Sequence, residues 1–145
     1  MEWIVERDYA REALPKRDPE GHKGSFGEVL ALAGSAGYTG AAWLTAEGAV
    51  RGGCGLVHLG VPEDIWPVEA VKCTSAMPFP LAAEDGGLSL RALEGIRERL
   101  SRCDVLALGP GLGRRAETAE LVRQLLSETE TLAELEQRYP DLKKK

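Results

Sequence analysis

Three short apolar runs punctuate the chain, and each is closed by glycine or proline. Val29-Leu30-Ala31-Leu32-Ala33 stops at Gly34, and Leu56-Val57-His58-Leu59-Gly60-Val61 stops at Pro62. Asp104-Val105-Leu106-Ala107-Leu108 stops at Gly109-Pro110-Gly111. Short continuous apolar runs bounded by turn residues predict strands buried on both faces, as in a parallel sheet. Between them the spacing becomes helical. Ala41 to Arg51 is alanine-rich, carries Trp43, Leu44 and Val50, and is ended by Gly52, Gly53 and Gly55. Leu88 to Cys103 sets Leu90, Leu93, Ile96 and Leu100 on one face, which predicts an amphipathic helix capped by Ser89. Glu117 to Leu126 repeats the pattern with Ala119, Val122, Leu125 and Leu126, and a short helix is predicted over Tyr9 to Leu14, stopped by Pro15.

Strand, helix of about three turns and strand make one crossover, so the first two strands should be parallel. The alternation as a whole predicts an α/β three-layer sandwich with a mostly parallel sheet. The stretch from Pro62 to Gly87 is less regular. A short helix is expected over Asp64 to Val71, interrupted by Pro67, then an edge strand over Val71 to Met77 that ends at Pro78 and Pro80. Residues 1–126 read as one domain and 127–145 as a polar tail. In that tail Thr131 and Glu134 match a capping box, and a short helix could run to Pro140. A sheet that stops after three or four strands leaves an edge open, so a homo-oligomer is expected.

Composition narrows the partners. The 145 residues carry a net charge of −5, with 43% hydrophobic and 28% charged residues. No basic stripe is available to neutralise phosphates along a duplex, so nucleic acid is not expected as a partner. The one basic cluster, Lys143-Lys144-Lys145, reads as a solvated tail. Cys54, Cys73 and Cys103 are odd in number, lack CxxC spacing and lie in or near apolar stretches. They read as buried free thiols rather than a zinc site or a disulfide framework. Trp3, Trp43 and Trp66 read as core or interface anchors. The N-terminus has no signal-peptide pattern, and no run reaches the ~18 apolar residues of a membrane span, so a cytoplasmic location and no membrane partner are expected.

Three loops carry candidate chemistry. Gly34-Ser35-Ala36-Gly37-Tyr38-Thr39-Gly40-Ala41-Ala42 leads from a strand into a helix N-terminus. Glycine permits close backbone approach there, and free amides with the helix dipole favour an anion or phosphate. Ser35, Tyr38 and Thr39 add hydroxyls. The spacing matches neither a P-loop nor the G-x-G-x-x-G fingerprint, and a tight turn that binds nothing is the alternative. Gly109-Pro110-Gly111-Leu112-Gly113 follows another strand. It could line the same crevice, since open α/β sheets collect ligands at those ends, or simply brace the first loop. His22-Lys23-Gly24-Ser25-Phe26-Gly27 could offer Lys23 to a phosphate or carboxylate, or be an ordinary polar loop. His58 reads as a hydrogen-bonded core residue. Gly-x-Gly-Asp, HExxH, GxSxG and paired carboxylates in an apolar setting are all absent from the sequence, so no catalytic residue and no metal ligand are assigned.

Taken in order, Leu14-Pro15-Lys16-Arg17 with His22 to Gly27, Val29 to Gly60, and Asp104 to Gly113 resemble one family. The most specific stretch contains Ala33-Gly34-Ser35, Gly40-Ala41-Ala42, Ala49-Val50-Arg51 and Gly53-Cys54-Gly55-Leu56-Val57. The family is the ADP/ATP-dependent NAD(P)H-hydrate dehydratases of the ribokinase-like superfamily, and the resemblance covers roughly Trp3 to Leu126. It implies a lyase of metabolite repair that restores hydrated NADH or NADPH with ATP or ADP, assisted by Mg2+. The nucleotide phosphorylates the ring hydroxyl, and elimination then returns the ring. By position it implies that Gly40, Ala41 and Gly111 contact the hydrated dinucleotide. Gly34, Ser35, Gly109, Gly113 and Lys23 complete the candidate substrate site. The family's Asp-Ala-Asp-like segment, Thr-Pro-His loop and Gly-x-Gly-Asp turn, which supplies its catalytic Asp, do not follow Ser127. This chain is therefore expected to correspond to the N-terminal half, without the nucleotide-binding half, and to be inactive alone. A non-catalytic nucleotide or phosphate-binding module and a self-assembling structural fragment are the alternatives.

Overall fold

The computed structural model describes residues 7–14 and 16–128. Its elements in order are α1 (Arg7–Ala13), β1 (Glu28–Leu32), α2 (Thr39–Arg51), β2 (Leu56–Pro62), α3 (Trp66–Lys72), β3 (Met77–Leu81), β4 (Ala83–Glu84), β5 (Gly87–Leu88), α4 (Leu93–Leu100), β6 (Val105–Leu108) and α5 (Ala116–Glu128). Short 3-10 turns occupy Lys23–Phe26 and Leu90–Ala92. Four strands pair in the order β3-β2-β1-β6, all parallel, with Val29 opposite both Val57 and Val105. Strands β4 and β5 form a small antiparallel ribbon.

Strand β1 shows why its run contains no polar residue after Glu28. Leu30, Ala31, Leu32 and Ala33 are all fully buried, so the two faces differ in side-chain size instead of polarity. Leu30 and Leu32 pack with Phe79, Leu81, Leu93, Ile96, Leu121 and Leu125 beneath α4 and α5. Ala31 and Ala33 face Ala42, Ala46, Val57, Leu59, Val61 and Ile65 beneath α2 and α3. The small-residue layer lets α2 approach the sheet closely, and the large-residue layer fills the wider gap under α4 and α5. Gly60 belongs to the second layer. A Cβ there would stand 2.6 Å from Leu32 Cδ2 and 2.9 Å from Phe79 Cζ, so glycine leaves the room those side chains occupy.

The parallel three-layer arrangement and the main strands and helices agree with the pattern of apolar positions. The region from Pro62 to Cys103 differs. Pro67 lies in the first turn of α3 and does not interrupt it, because the first helical positions need no backbone donor. The edge strand begins at Met77, where it was expected to end, and contains both Pro78 and Pro80. Among the described residues it borders only β2, and an edge strand tolerates proline because one row of its amides serves no ladder. The helix expected over Leu88 to Cys103 is shorter. Gly87–Leu88 is strand, and α4 runs only from Leu93 to Leu100. Ser89 precedes the 3-10 turn but makes no side-chain cap, and its buried hydroxyl has no partner among the described residues. Between β4 and β5, Asp85 and Gly86 both have positive φ (51° and 74°), the conformation an Asp-Gly hairpin turn adopts. Trp66 is exposed and donates to Pro78 O. Trp3 and the tail helix expected near Thr131 and Glu134 lie outside the described residues.

The motif His22 to Gly27 folds as a local brace. His22 Nδ1 accepts from Gly24 N and Ser25 Oγ accepts from His22 N, a reciprocal cap on the 3-10 turn. Gly55 runs directly beneath it, donating to Phe26 O and Gly27 O, and a Cβ on Gly55 would collide with the Lys23 carbonyl. Arg17 lies over the Phe26 ring and donates to Gly53 O, closing the same corner. Gly55→Ala should therefore lower stability by about 3 kcal/mol in urea titration, because the obstacle is backbone and cannot rotate away. Gly48→Ala, on the exposed side of α2 with nothing within 4 Å, should raise it by up to about 1 kcal/mol.

Candidate functional site

Strand order reverses beside β1: the chain passes from β1 to β2 and β3 on one side, then returns to place β6 on the other. The crevice at the carboxyl ends of β1 and β6 is therefore a topological switch point, where ligands of open α/β sheets collect. Both glycine loops leave the sheet there. Gly34 N donates to Pro110 O at 2.8 Å, and the buried Ser35 hydroxyl donates to Gly111 O at 2.7 Å. Gly111 has φ +71°, and a Cβ on it would stand 2.6 Å from Ala41 Cβ and 3.1 Å from Tyr38 Cβ. Gly34, with φ +83°, would bring a Cβ within 2.8 Å of Ala42 Cβ. Here glycine is required both by the left-handed backbone and by the contact.

Seven of the eight residues singled out in the sequence thus gather at one place: Gly34, Ser35, Gly40, Ala41, Gly109, Gly111 and Gly113. Gly40 is exposed on the first turn of α2 with open space around it, and Gly109 is exposed at φ +130°. Tyr38 precedes α2 but makes no side-chain cap. Ala41 N already donates to Tyr38 O at 3.1 Å, so the amides of Thr39 and Gly40 are the first-turn groups of α2 left for water or an anion. Lys23 does not join this group. It lies in the 3-10 turn at the opposite end of the sheet, beside the start of β2.

Three side chains that sequence spacing did not single out shape the crevice. Lys72 Nζ donates to Thr39 O at 2.9 Å and to Glu69 Oε1 at 3.1 Å, tying α3 to the first residue of α2. Glu69 is fully buried, and its second oxygen has no partner among the described residues. Burial, then Glu69, pushes the nearby Cys73 thiol up, with Lys72 opposing, so that thiol stays protonated at neutral pH. Arg115 approaches the places a Cβ would take on Gly113, Gly86 and Gly87, and Gly86 O accepts from Ala36 N. Arg114 and Arg115 directly precede α5. Cations at a helix N-terminus oppose its dipole, and an anion between them and the amides would relieve that conflict. The signal in the sequence was the Arg-Arg pair following Gly113, legible only once a helix start is placed after it.

Among the described residues, the one grouping of three side chains that could hold a metal ion stands at the other end of the sheet. Among the described residues no helix is long and apolar enough to cross a membrane.

Comparison with known proteins places this geometry. A family model described as NAD(P)H-hydrate dehydratase matches residues 29–133. The bifunctional NAD(P)H-hydrate repair enzyme Nnr of Moorella thermoacetica is 45% identical over 119 residues, spanning 81% of this chain and 22% of that protein. The ADP-dependent (S)-NAD(P)H-hydrate dehydratase of Streptococcus pneumoniae is 32% identical over 124 residues, 86% of this chain and 40% of that protein. The ADP/ATP-dependent NAD(P)H-hydrate dehydratase of Bacillus subtilis, co-crystallized with ATP/Mg2+, superposes with a TM-score of 0.61 at 28% identity, covering 83% of this chain and 40% of that one. A ribokinase-like superfamily protein of Enterococcus faecalis gives a TM-score of 0.70 at 21% identity, a likeness of fold. The chain spans well under half the length of these relatives. With the family model matching over most of its length and the same layering of helices on a parallel sheet, the chain belongs to the NAD(P)H-hydrate dehydratase family.

Proposed function

We propose that the chain supplies the dinucleotide-binding crevice of a nucleotide-dependent NAD(P)H-hydrate dehydratase, a lyase that restores hydrated NADH or NADPH. In that reaction the terminal phosphoryl of ATP or ADP esterifies the ring hydroxyl. Loss of the phosphate and a neighbouring proton then re-forms the double bond. The observation that carries the reading is the Ser35–Gly111 clasp, which seats two glycine loops at adjacent strand ends beside the uncapped start of α2. The amides of Thr39 and Gly40 would hold a phosphate of the dinucleotide, with Gly40, Ala41, Gly109 and Gly111 against its sugar and ring. Gly34 and Ser35 fix the loop, and Gly113 with Arg115 closes the far side. Lys23 stands away from this contact. No catalytic residue and no step through Mg2+ is assigned to these residues. The Gly-x-Gly-Asp turn of the family pattern is absent from them, so the chain alone should show no ATP- or ADP-driven loss of NADH hydrate in a coupled absorbance assay. Turnover would overturn that expectation.

Binding can be tested apart from turnover. Saturating hydrated NADH should raise the melting midpoint, since a ligand held only by the folded state stabilises it. Gly40→Glu should abolish that rise while leaving the unliganded midpoint near its original value, because the site has room for a side chain and an acid suits a helix N-terminus. A rise that survives Gly40→Glu would move the dinucleotide elsewhere. Ser35→Ala leaves the Gly111 carbonyl without its hydroxyl partner and should cost about 1 kcal/mol in urea titration together with weaker binding.

A homo-oligomer is the further expectation for the assembly. It is supported by exposed Leu44 on α2, exposed Val68 and Val71 on α3, and a strand β6 bordered by one neighbour among the described residues. Light scattering after size exclusion should return a mass above the 15.6 kDa of one chain.

A further inference from the structure

At the end of the sheet opposite the glycine loops, three side chains from three places in the sequence converge. His58 Nε2 lies 3.3 Å from Glu28 Oε2, and the Cys103 sulfur completes a triangle whose donor atoms all fall within 4.8 Å of one another. All three residues are half-buried, and they line a cavity of about 300 Å³ beneath the end of α4. We propose that Glu28, His58 and Cys103 form a site for one divalent transition-metal ion of the zinc type, with a fourth position open to water.

The donor set decides the class of ion. A thiolate, an imidazole and a carboxylate suit a borderline-soft ion such as Zn2+, whereas Mg2+ prefers oxygen alone. Tetrahedral bonds of the usual lengths put neighbouring donor atoms roughly 3.4–3.6 Å apart. The Glu28–His58 separation already matches, and the thiol must close by about 1 Å at most, on the same bond lengths.

The backbone holds the triangle in place. Glu28 N donates to Asp104 Oδ2 at 2.8 Å, and Asp104 N donates to Glu28 O at 2.9 Å. This pair of hydrogen bonds locks the start of β1 to the residue after Cys103, so Glu28 and Cys103 cannot drift apart without breaking both. His58 is brought alongside by the parallel register that sets Leu30 opposite it.

Of the cations lining the cavity, Arg99 is drawn over the Phe79 ring at 3.8 Å and Arg102 pairs with Glu98, while Lys23 stands at its rim. The Cys103 thiol gives up its proton to solvent as it coordinates, one proton for each ion bound. A neutral imidazole with two anionic donors then leaves the loaded site uncharged.

Cobalt(II) reads thiolate coordination directly. Titrating the full chain with Co2+ should produce a thiolate-to-metal charge-transfer band in the near ultraviolet that saturates at one ion per chain. The same band should be lost in Cys103→Ser, reduced in His58→Gln, and kept in Cys54→Ser and Cys73→Ser. Zn2+ should displace it, Mg2+ should not, and circular dichroism checks that each variant is folded. A second measurement needs no variant: Zn2+ should slow alkylation of Cys103 by iodoacetamide, followed by peptide mass, and leave Cys54 unaffected. No band with Co2+, a band that survives Cys103→Ser, or unaltered alkylation of Cys103 would each reduce the cluster to a His58–Glu28 hydrogen bond and overturn the proposal.

Discussion

Both ends of this sheet depend on β1, a strand sealed from water on its two faces and hydrogen-bonded along its two edges. Such a strand has no freedom of register, because a slip by one residue would exchange Leu30 and Leu32 with Ala31 and Ala33 between layers of unequal depth. The large side chains would strike α2, and the small ones would leave voids under α4 and α5. With register fixed, what stands at each end of the strand is fixed too. Glu28 is set beside Asp104 at the start, and Gly34 and Ser35 are set beside Pro110 and Gly111 at the finish. The candidate crevice is thus less a loop feature than the terminus of a packing constraint.

Glycine plays two different parts around that strand. At Gly34 and Gly111 it supplies a left-handed backbone and a near approach to Ala41 and Ala42, which draws the two loops together. At Gly40 and Gly109 a Cβ would meet, among the described residues, nothing within 4 Å beyond its own stretch of chain. Those two positions keep open what the other two build. A crevice for a phosphate-bearing ligand needs both: walls held rigidly, and an approach to backbone amides that no side chain screens.

Much of the architecture was legible in the sequence because the strands stay apolar throughout and stop at glycine. Val29 to Ala33 could hardly be anything but a central strand, and the loop after it could hardly avoid a strand end. The Pro62 to Cys103 region was less legible for specific reasons. Pro78 and Pro80 read as strand terminators, yet an edge strand accepts them. The Leu90-Leu93-Ile96-Leu100 spacing fits a long helix, yet the Asp85-Gly86 turn claims Gly87 and Leu88 for a hairpin and delays the helix to Leu93. Lys23 illustrates a further limit. Proximity in sequence to a strand places a residue near the sheet, and only topology says which end. Lys72 was invisible for the converse reason, since its bond to Thr39 O follows from a tertiary contact that no spacing encodes.

The pairing of β1 with β6 also sets a cost. Strand β2 reaches β1 through a single crossover helix, a short loop closure by the standard of this fold. The Ser35–Gly111 bond joins residues 76 positions apart. Closing a loop of that length carries the larger entropic cost. The crevice therefore rests on the costlier closure and is lost if β6 detaches. Occupancy of the crevice would then act as a latch on the whole sheet, coupling a small ligand to the longest-range closure among the described strands.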